Sequence, residues 1–549
     1  PSPWSNAITT QLTEFAGEEN YPSISPDGKV FLFTRSNDSN WDIYWQRIGG
    51  SNAQNLTADS PFNDTQPSFS PNGEKIAFRS ERSGGGIFVM GATGESVKRL
   101  TDFGFTPSWS PNGNEIIFST VDFDEPTSRS RTSEIWGVDL SGNKRHIKTD
   151  IDATQPFYSP SGKRIVFWGK DEKYQRDLWT VSADGGTPIR LTNDEALDWN
   201  PVWSPDGKFI YFCSNRNGAP SLWRIPVQES SGKADGMPEA ISPTPAQSWL
   251  LTLSNDGKHL IYVRRTRFEN LHQTEFDPVK MTVKGNPVKI TEGTKRTRTP
   301  AFSPDGNFIV SYITGEAAQE DIFLIKQGDS KRIFLTNDAA RDRVPRFSPD
   351  GKRIVFYSNL NGTYEIYSIS IDGTDRRQIT DFGGKGVYYP FYSPNGKQLA
   401  YTVFEGTTQI INSDQDWSNQ TPFQLPPLND SDEKFIAWSW SPDGNKLAGW
   451  RSDKVEFELP GVYVYSFESN SYELISETAM RPVWLADSRH LIAEYDGKLV
   501  VIDTISKNSH EIILFKPQYV SSPFLTNDNT RLIYSVGTIE SDIQMLSIK

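Results

Sequence analysis

Apolar positions along the chain gather in short runs closed off by Gly, Pro, Asn, Asp and Ser. The clearest stretch is 345–380, PRFSPDGKRIVFYSNLNGTYEIYSISIDGTDRRQIT. Four runs within it, 345–348, 353–358, 364–371 and 376–380, have the composition of β-strands. Turn chemistry separates them. In Ser348-Pro349-Asp350-Gly351 the proline fixes φ, the aspartate accepts backbone N–H groups and the glycine accommodates a positive φ, which suits a tight hairpin. Asn359-Leu360-Asn361-Gly362 and Asp372-Gly373 supply the next two turns. The stretch predicts a four-stranded antiparallel meander. Its second run, Ile354-Val355-Phe356-Tyr357, is apolar at successive positions instead of alternating, so both of its faces are expected to be buried. One sheet cannot bury both faces alone, and the unit therefore requires a copy of itself on each side.

Such copies run through the chain. The Ser-Pro-(Asp/Asn)-Gly turn recurs at 25–28, 70–73, 110–113, 204–207, 303–306, 348–351, 393–396 and 441–444. It is Ser-Pro-Ser-Gly at 159–162 and Ser-Asn-Asp-Gly at 254–257, and it is worn around 486–488 and 526–528. About twelve units spaced by roughly 40 to 50 residues match the period of propeller blades. Third runs carry an acidic or small residue, an aliphatic and usually an aromatic, as in Asp42-Ile43-Tyr44 and Glu365-Ile366-Tyr367; their repetition argues for packing. The last unit has only three runs, at 522–525, 531–534 and 542–546, whereas 7–13 is a spare strand of the type that ends other units. The expected fold is all-β, a propeller of about twelve four-stranded blades in which strand 7–13 completes the C-terminal blade and hides an edge. Two rings of about six blades, 1–295 and 296–549, are the leading partition. Closure by the chain ends would also suit a single twelve-bladed ring, or two rings of which one interrupts the other.

Charge and composition narrow the function. A net charge of −13 argues against a nucleic-acid partner, which would require a basic surface. The single cysteine, Cys213, lies in the apolar run 209–213 and reads as a packing residue. No apolar stretch is long enough to span a membrane, and the start at Pro1 reads as that of an excised or processed fragment. Any membrane attachment is expected through a segment outside this chain.

The motif Pro-x-aromatic-Ser-Pro-(Asp/Asn)-Gly-Lys, as in Pro201-Val202-Trp203-Ser204-Pro205-Asp206-Gly207-Lys208, resembles the WD40-like repeats of TolB and tricorn-type propellers over nearly the whole chain. The opening, Trp4-Ser5-Asn6 and then 11–17, is similar to the TolB-like region of bacterial membrane-bound transcriptional regulators and Ser/Thr kinases. That resemblance implies a periplasmic or extracellular sensory region.

Catalytic signatures are sparse. The Gly-x-Ser-x-Gly elbow of the prolyl oligopeptidase family, whose propellers share this repeat type, does not occur. None of the five histidines has a second His or Cys at ligand spacing, although His259 and His272 fall within one unit and could approach one another. No catalytic residue, metal ligand or cofactor is assigned. Residues just before the first strand of each blade would surround one mouth of a central channel, and they mix amides, aromatics and cations. The candidate ligand-binding residues are Gln66, Gln155, Trp199, Arg296, Arg298, Arg341, Arg343 and Tyr389. A mouth with these arginines would take a carboxylate- or phosphate-bearing ligand or an acidic peptide, unless they pair with Glu292, Asp338 or Asp342 on the rim. The leading expectation is a non-enzymatic propeller binding an unknown ligand or protein partner. The alternatives are a metal-dependent lyase or glycosidase, or a TolB-like envelope adaptor.

Overall fold

The computed structural model describes residues 3–548 except 37–39, 123–131, 171–174, 242–246, 315–318, 405, 429–432, 453–457 and 516–517. The chain forms two compact units, Pro1–Thr266 with Ile539–Lys549, and Arg267–Thr538. Among the described residues no helix is long and apolar enough to cross a membrane.

Each unit is a β-propeller of antiparallel meanders. In the first, the inner strands are Glu19–Ile24, Asp64–Phe69, Phe105–Trp109, Thr154–Tyr158, Asp198–Trp203 and Ser248–Leu253. Each packs beside the next, and the last packs beside the first, closing the ring. The second propeller closes in the same way from Thr297–Phe302, Asp342–Phe347, Val387–Tyr392, Lys434–Trp440, Met480–Trp484 and Tyr519–Leu525. Burial on both faces explains the unbroken apolar runs. Ile354 and Phe356 enter one core with Val310 and Leu324 of the preceding blade, while Val355 and Tyr357 enter another with Leu399 and Tyr401 of the following blade. Each such side chain contributes roughly 1.5–3 kcal/mol on burial.

Ring closure departs from the simple linear order. The strands His259–Asp277 and Arg531–Ser547 are long, and each serves both units. In the first propeller the sixth blade runs from Ser248–Leu253 through the start of His259–Asp277 and the end of Arg531–Ser547 to Ile8–Gln11. In the second it runs from Tyr519–Leu525 through the start of Arg531–Ser547 and the end of His259–Asp277 to Thr282–Lys289. The N-terminal strand does pair with the chain's end, Ile8 opposite Ser547 and Gln11 opposite Gln544. The blade it completes, however, starts at Ser248 and not at the 522–525 run, because 542–546 continues a strand that has already left the second propeller. The unit boundaries consequently fall at 266/267 and 538/539, and differ from the expected 295/296.

The repeated turn works as its residues dictate. At Ser348–Gly351 the Ser348 hydroxyl donates to Asp350 Oδ1 (2.6 Å) and accepts from the Arg353 N–H (3.0 Å), and Lys352 N–H donates to Asp350 Oδ1 (3.1 Å). Gly351 has φ +70°, and a Cβ there would touch the turn proline of the preceding blade, Pro304. Third-strand acids are equally local: Thr380 Oγ1 donates to Glu365 Oε2 (2.6 Å) and accepts from Ile366 N–H (2.9 Å). These carboxylates are consumed by architecture.

Candidate functional site

Every inner strand carries a bulge where it lines its channel. In the first propeller the residues Tyr21, Gln66, Thr106, Gln155, Asn200 and Leu250 all have φ between 47° and 56°, and the register shifts at each one. Five of them precede a proline, which a β-ladder tolerates at a bulge or an edge. Left-handed backbone is strained for residues other than glycine. Its recurrence in blade after blade marks it as part of the ring's construction.

The bulge amides lock adjacent blades together. Gln66 Oε1 accepts from Thr106 N–H of the next blade (2.6 Å), and Gln155 Oε1 accepts from Asn200 N–H (3.2 Å) and from Trp168 Nε1 (2.6 Å). Asn200 Oδ1 in turn accepts from Leu251 N–H. Gln66 and Gln155 thus sit at the channel with their acceptor oxygens already occupied.

A cavity of about 440 Å³ opens at the first propeller's mouth, with Tyr21, Trp41, Gln66, Trp249 and Arg265 among its walls. Three of its charged groups, Arg79, Glu81 and Asp122, are tied down. Arg79 donates to Glu81 Oε1 (2.7 and 2.9 Å) and to the Gly104 carbonyl (3.0 Å), and Gln66 Nε2 donates to Asp122 Oδ1 (2.8 Å). Arg265 stacks 5.6 Å from the Trp249 ring centre and pairs with Glu18 at 3.8 Å. Trp199 is 2% exposed and packs behind Trp249 with centroids 5.3 Å apart, so it supports the wall without lining the cavity. Trp41 is different: half-buried, it lies in the wall with its indole N–H unengaged by any described residue. Neither Trp41 nor Trp249 was singled out from sequence. Trp41 stands just before Asp42, outside the inner-strand leaders, and chain order does not show that it reaches the mouth.

The expected arginines belong to the second propeller, so the candidate residues divide between two rings. Their partners also differ from those expected. Glu269, fully buried, accepts from Arg296 Nε (2.9 Å) and the Tyr519 hydroxyl (2.8 Å), and it forms ion pairs with Arg298 Nε (3.0 Å) and Arg267 Nε (3.4 Å). Burial alone would raise the Glu269 carboxyl, but the guanidinium groups of Arg298, Arg296 and Arg267 outweigh it and hold the group at about 2. Arg343 pairs with Glu320. Asp338 and Asp342 instead serve Arg376, and Glu292 lies near Lys289. Arg341 has no ion pair among the described residues, and its backbone N–H donates to Asn359 Oδ1 (2.7 Å). Tyr389 joins Tyr357, Trp438 and Trp450 in an aromatic cluster, with centroids 5.7–5.8 Å away.

His259 and His272 lie on the same long strand but in different units. His259 Nδ1 is 3.0 Å from Ser547 Oγ, while His272 packs against Phe515 and Tyr534. Among the described residues no group of three or more His, Cys, Asp or Glu is placed to hold a metal ion. Cys213 is fully buried, and burial pushes its thiol pKa well up.

Four-stranded blades closed into two rings define a tandem β-propeller protein. The chain matches PD40, the TolB beta propeller domain, over residues 5–127, 103–288 and 252–426, and belongs to that family. It is 26% identical over 256 residues to the uncharacterized protein Atu1656 of Agrobacterium fabrum, covering 44% of this chain and 81% of that one. It is 28% identical over 213 residues to the uncharacterized peptidase YuxL of Bacillus subtilis, covering 35% of this chain and 29% of that one. It is also 35% identical over 99 residues to the Tol-Pal system protein TolB of Anaeromyxobacter dehalogenans, covering 18% and 21% respectively. The matches to YuxL and TolB therefore span less than a third of each relative's length. Solved structures of similar fold include the tricorn protease, at 12% identity, TM-score 0.30 and coverage of 95% of this chain and 62% of that one. A putative TolB from Agrobacterium tumefaciens is similar at 16% identity, TM-score 0.26 and coverage of 60% and 87%.

Proposed function

We propose that the protein is a non-enzymatic propeller that holds a ligand or protein partner at a channel mouth, outside the cytoplasm, as the sensory or scaffold region of a bacterial membrane-bound regulator. The observation that carries this reading is the first propeller's mouth cavity, where Trp41, Tyr21 and Trp249 lie in the wall beside Asn20, Asn63 and Thr65. Aromatic platforms with a polar rim recognise a peptide segment or a saccharide by stacking and hydrogen bonding. In the second propeller, Arg296, Arg298, Arg341 and Arg343 offer an acidic peptide a second place to bind. Membership of the TolB beta propeller family supports the extracytoplasmic location.

Ligand-observed NMR of the intact chain against short peptides and oligosaccharides tests the reading. A ligand of the first mouth should lose at least about tenfold in affinity in Trp41→Ala, about 1.4 kcal/mol. Unchanged affinity in that variant for every ligand found would sink the assignment to this mouth. Arg296→Ala combined with Arg343→Ala should weaken an acidic peptide specifically. A second reading, that the chain is the propeller part of an enzyme, draws on the similarity to the uncharacterized peptidase YuxL. Turnover of peptides or polysaccharides by the purified chain, with a stoichiometric metal in the case of a lyase, would replace the first reading with the second.

A further inference from the structure

Six residues of the second propeller stand at one register position, directly after the channel bulge: Ala301, Arg346, Phe391, Ser439, Val483 and Phe524. The corresponding residues of the first propeller are Ser23, Ser68, Ser108, Phe157, Val202 and Thr252, all uncharged. Construction of a ring therefore asks for no charge at this position. Arg346 is the exception in both rings.

Its surroundings do not neutralise it. Arg346 is 7% exposed, and Nη1 donates to the Pro345 carbonyl (3.1 Å). The guanidinium lies 4.9 Å from the Trp438 ring centre and 5.2 Å from that of Phe524. No described carboxylate pairs with it. Burial lowers its pKa to about 10, which leaves it cationic at neutral pH. It lines a cavity of about 400 Å³ together with Phe302, Tyr392, Trp438, Trp440 and Trp484, and among the described residues it is the only charged one in that lining. Nearby polar groups are engaged elsewhere: Ser348 and Ser393 hydroxyls donate to their turn residues Asp350 and Asn395, and the Ser439 hydroxyl donates to the Pro482 carbonyl. Most of the guanidinium N–H groups are left to serve whatever enters the cavity.

A buried cation without a counter-ion is unfavourable, and aromatic faces compensate it only in part. One negative charge would complete the site. A dianion such as a phosphate monoester would leave surplus charge against aromatic walls, whereas a carboxylate matches the planar fork of arginine and neutralises it. The walls themselves favour an apolar or aromatic body. We propose that the channel of the second propeller binds a monocarboxylate with an apolar or aromatic body, gripped at two points by Arg346 and enclosed by Tyr392, Trp438 and Trp440. This site is independent of the first propeller's mouth, and neither reading requires the other.

Titration calorimetry and tryptophan fluorescence of the intact chain decide the matter, with phenylacetate and 3-phenylpropionate as probes and their amides and inorganic phosphate as controls. The carboxylates should bind at millimolar concentration or better and perturb the fluorescence; the amides should bind at least tenfold more weakly, and phosphate should not compete. Arg346→Met should lose at least tenfold in carboxylate affinity while raising the melting temperature of the unliganded chain, because an unpaired buried charge has been removed. Arg346→Lys, which keeps the charge and loses the fork, should lose severalfold with its unliganded fluorescence unchanged. Any one of three results overturns the proposal: no binding of either carboxylate, equal binding of acid and amide, or full affinity in Arg346→Met. A lower melting temperature in Arg346→Met would likewise overturn it, by showing that Arg346 is retained for packing on Trp438 and Phe524.

Discussion

Glu269 and Glu19 are both fully buried carboxyls, yet their surroundings drive them in opposite directions. Glu269 is held at about 2 by Arg298, Arg296 and Arg267 against its burial, so its contribution to stability is present above its ordinary value of 4.5 and disappears as pH falls from there towards 2. Glu269→Gln should cost about 3–5 kcal/mol at neutral pH by leaving the arginines uncompensated. In denaturant titrations the variant should also lose less stability than the parent between pH 5 and pH 3. Glu19 is raised to about 8, chiefly by burial, with only a distant Arg35 (4.0 Å) and a Thr13 hydroxyl to offset it. The sign reverses: its stabilising effect is complete below 4.5 and is lost as pH rises towards 8. Glu19→Gln should therefore flatten the parent's decline in stability between pH 5 and pH 8, and an unchanged decline would assign it to other groups. Sequence marks Arg296 and Arg298 as unusual cations in an acidic chain. Their partner Glu269 is not marked, because it lies 27 residues before Arg296 and the two strands meet only when the ring closes.

At the scale of the element, the Ser-Pro-Asp-Gly turn and the doubly buried second strand are local chemistry and were readable from residue order. The channel bulge was only half readable. Proline inside an apolar run signals an edge or a bulge, but not the positive φ that Gln66, Tyr389 and most of their counterparts adopt. The N-terminal segment shows a similar division. Its Gln-Leu-Thr run reads as a spare outer strand, whereas the role of Trp4 emerges only in three dimensions. Trp4 is 2% exposed, donates from Nε1 to the Tyr211 hydroxyl (3.0 Å) and packs in one core with Trp168, Trp199 and Leu546. Trp4→Ala should cost about 3–5 kcal/mol despite lying outside every strand. Urea unfolding of the intact chain checks this, and a change below about 1 kcal/mol would show the segment to be dispensable.

For the whole molecule, two propellers share one chain through two long strands that each serve both rings. All of the four strands in each blade of the second propeller lie within 267–538. A polypeptide of 267–538 should accordingly fold with a single cooperative melting transition, followed by far-UV and near-UV dichroism. A polypeptide of 296–549 should lack native near-UV signal, since it omits the two outer strands of its closing blade. The reverse outcome would contradict the interleaved closure.

The amino-acid sequence by itself determined the repeat, the blade, the approximate blade number and the use of the N-terminal strand to cover the chain's end. Those features rest on interactions within a few residues: turn hydrogen bonds and apolar runs that demand a neighbour on each face. Tertiary structure decided how the blades divide into rings, because strand pairing between 259–277 and 531–547 is set by which edges remain open after all the local meanders have formed. It also decided which side chains meet at the channels. Gln66 and Gln155 became locks between blades, and Arg346, inside the best-formed repeat, became a lone charge in an aromatic channel, since residues there are neighbours around a ring and not along the chain.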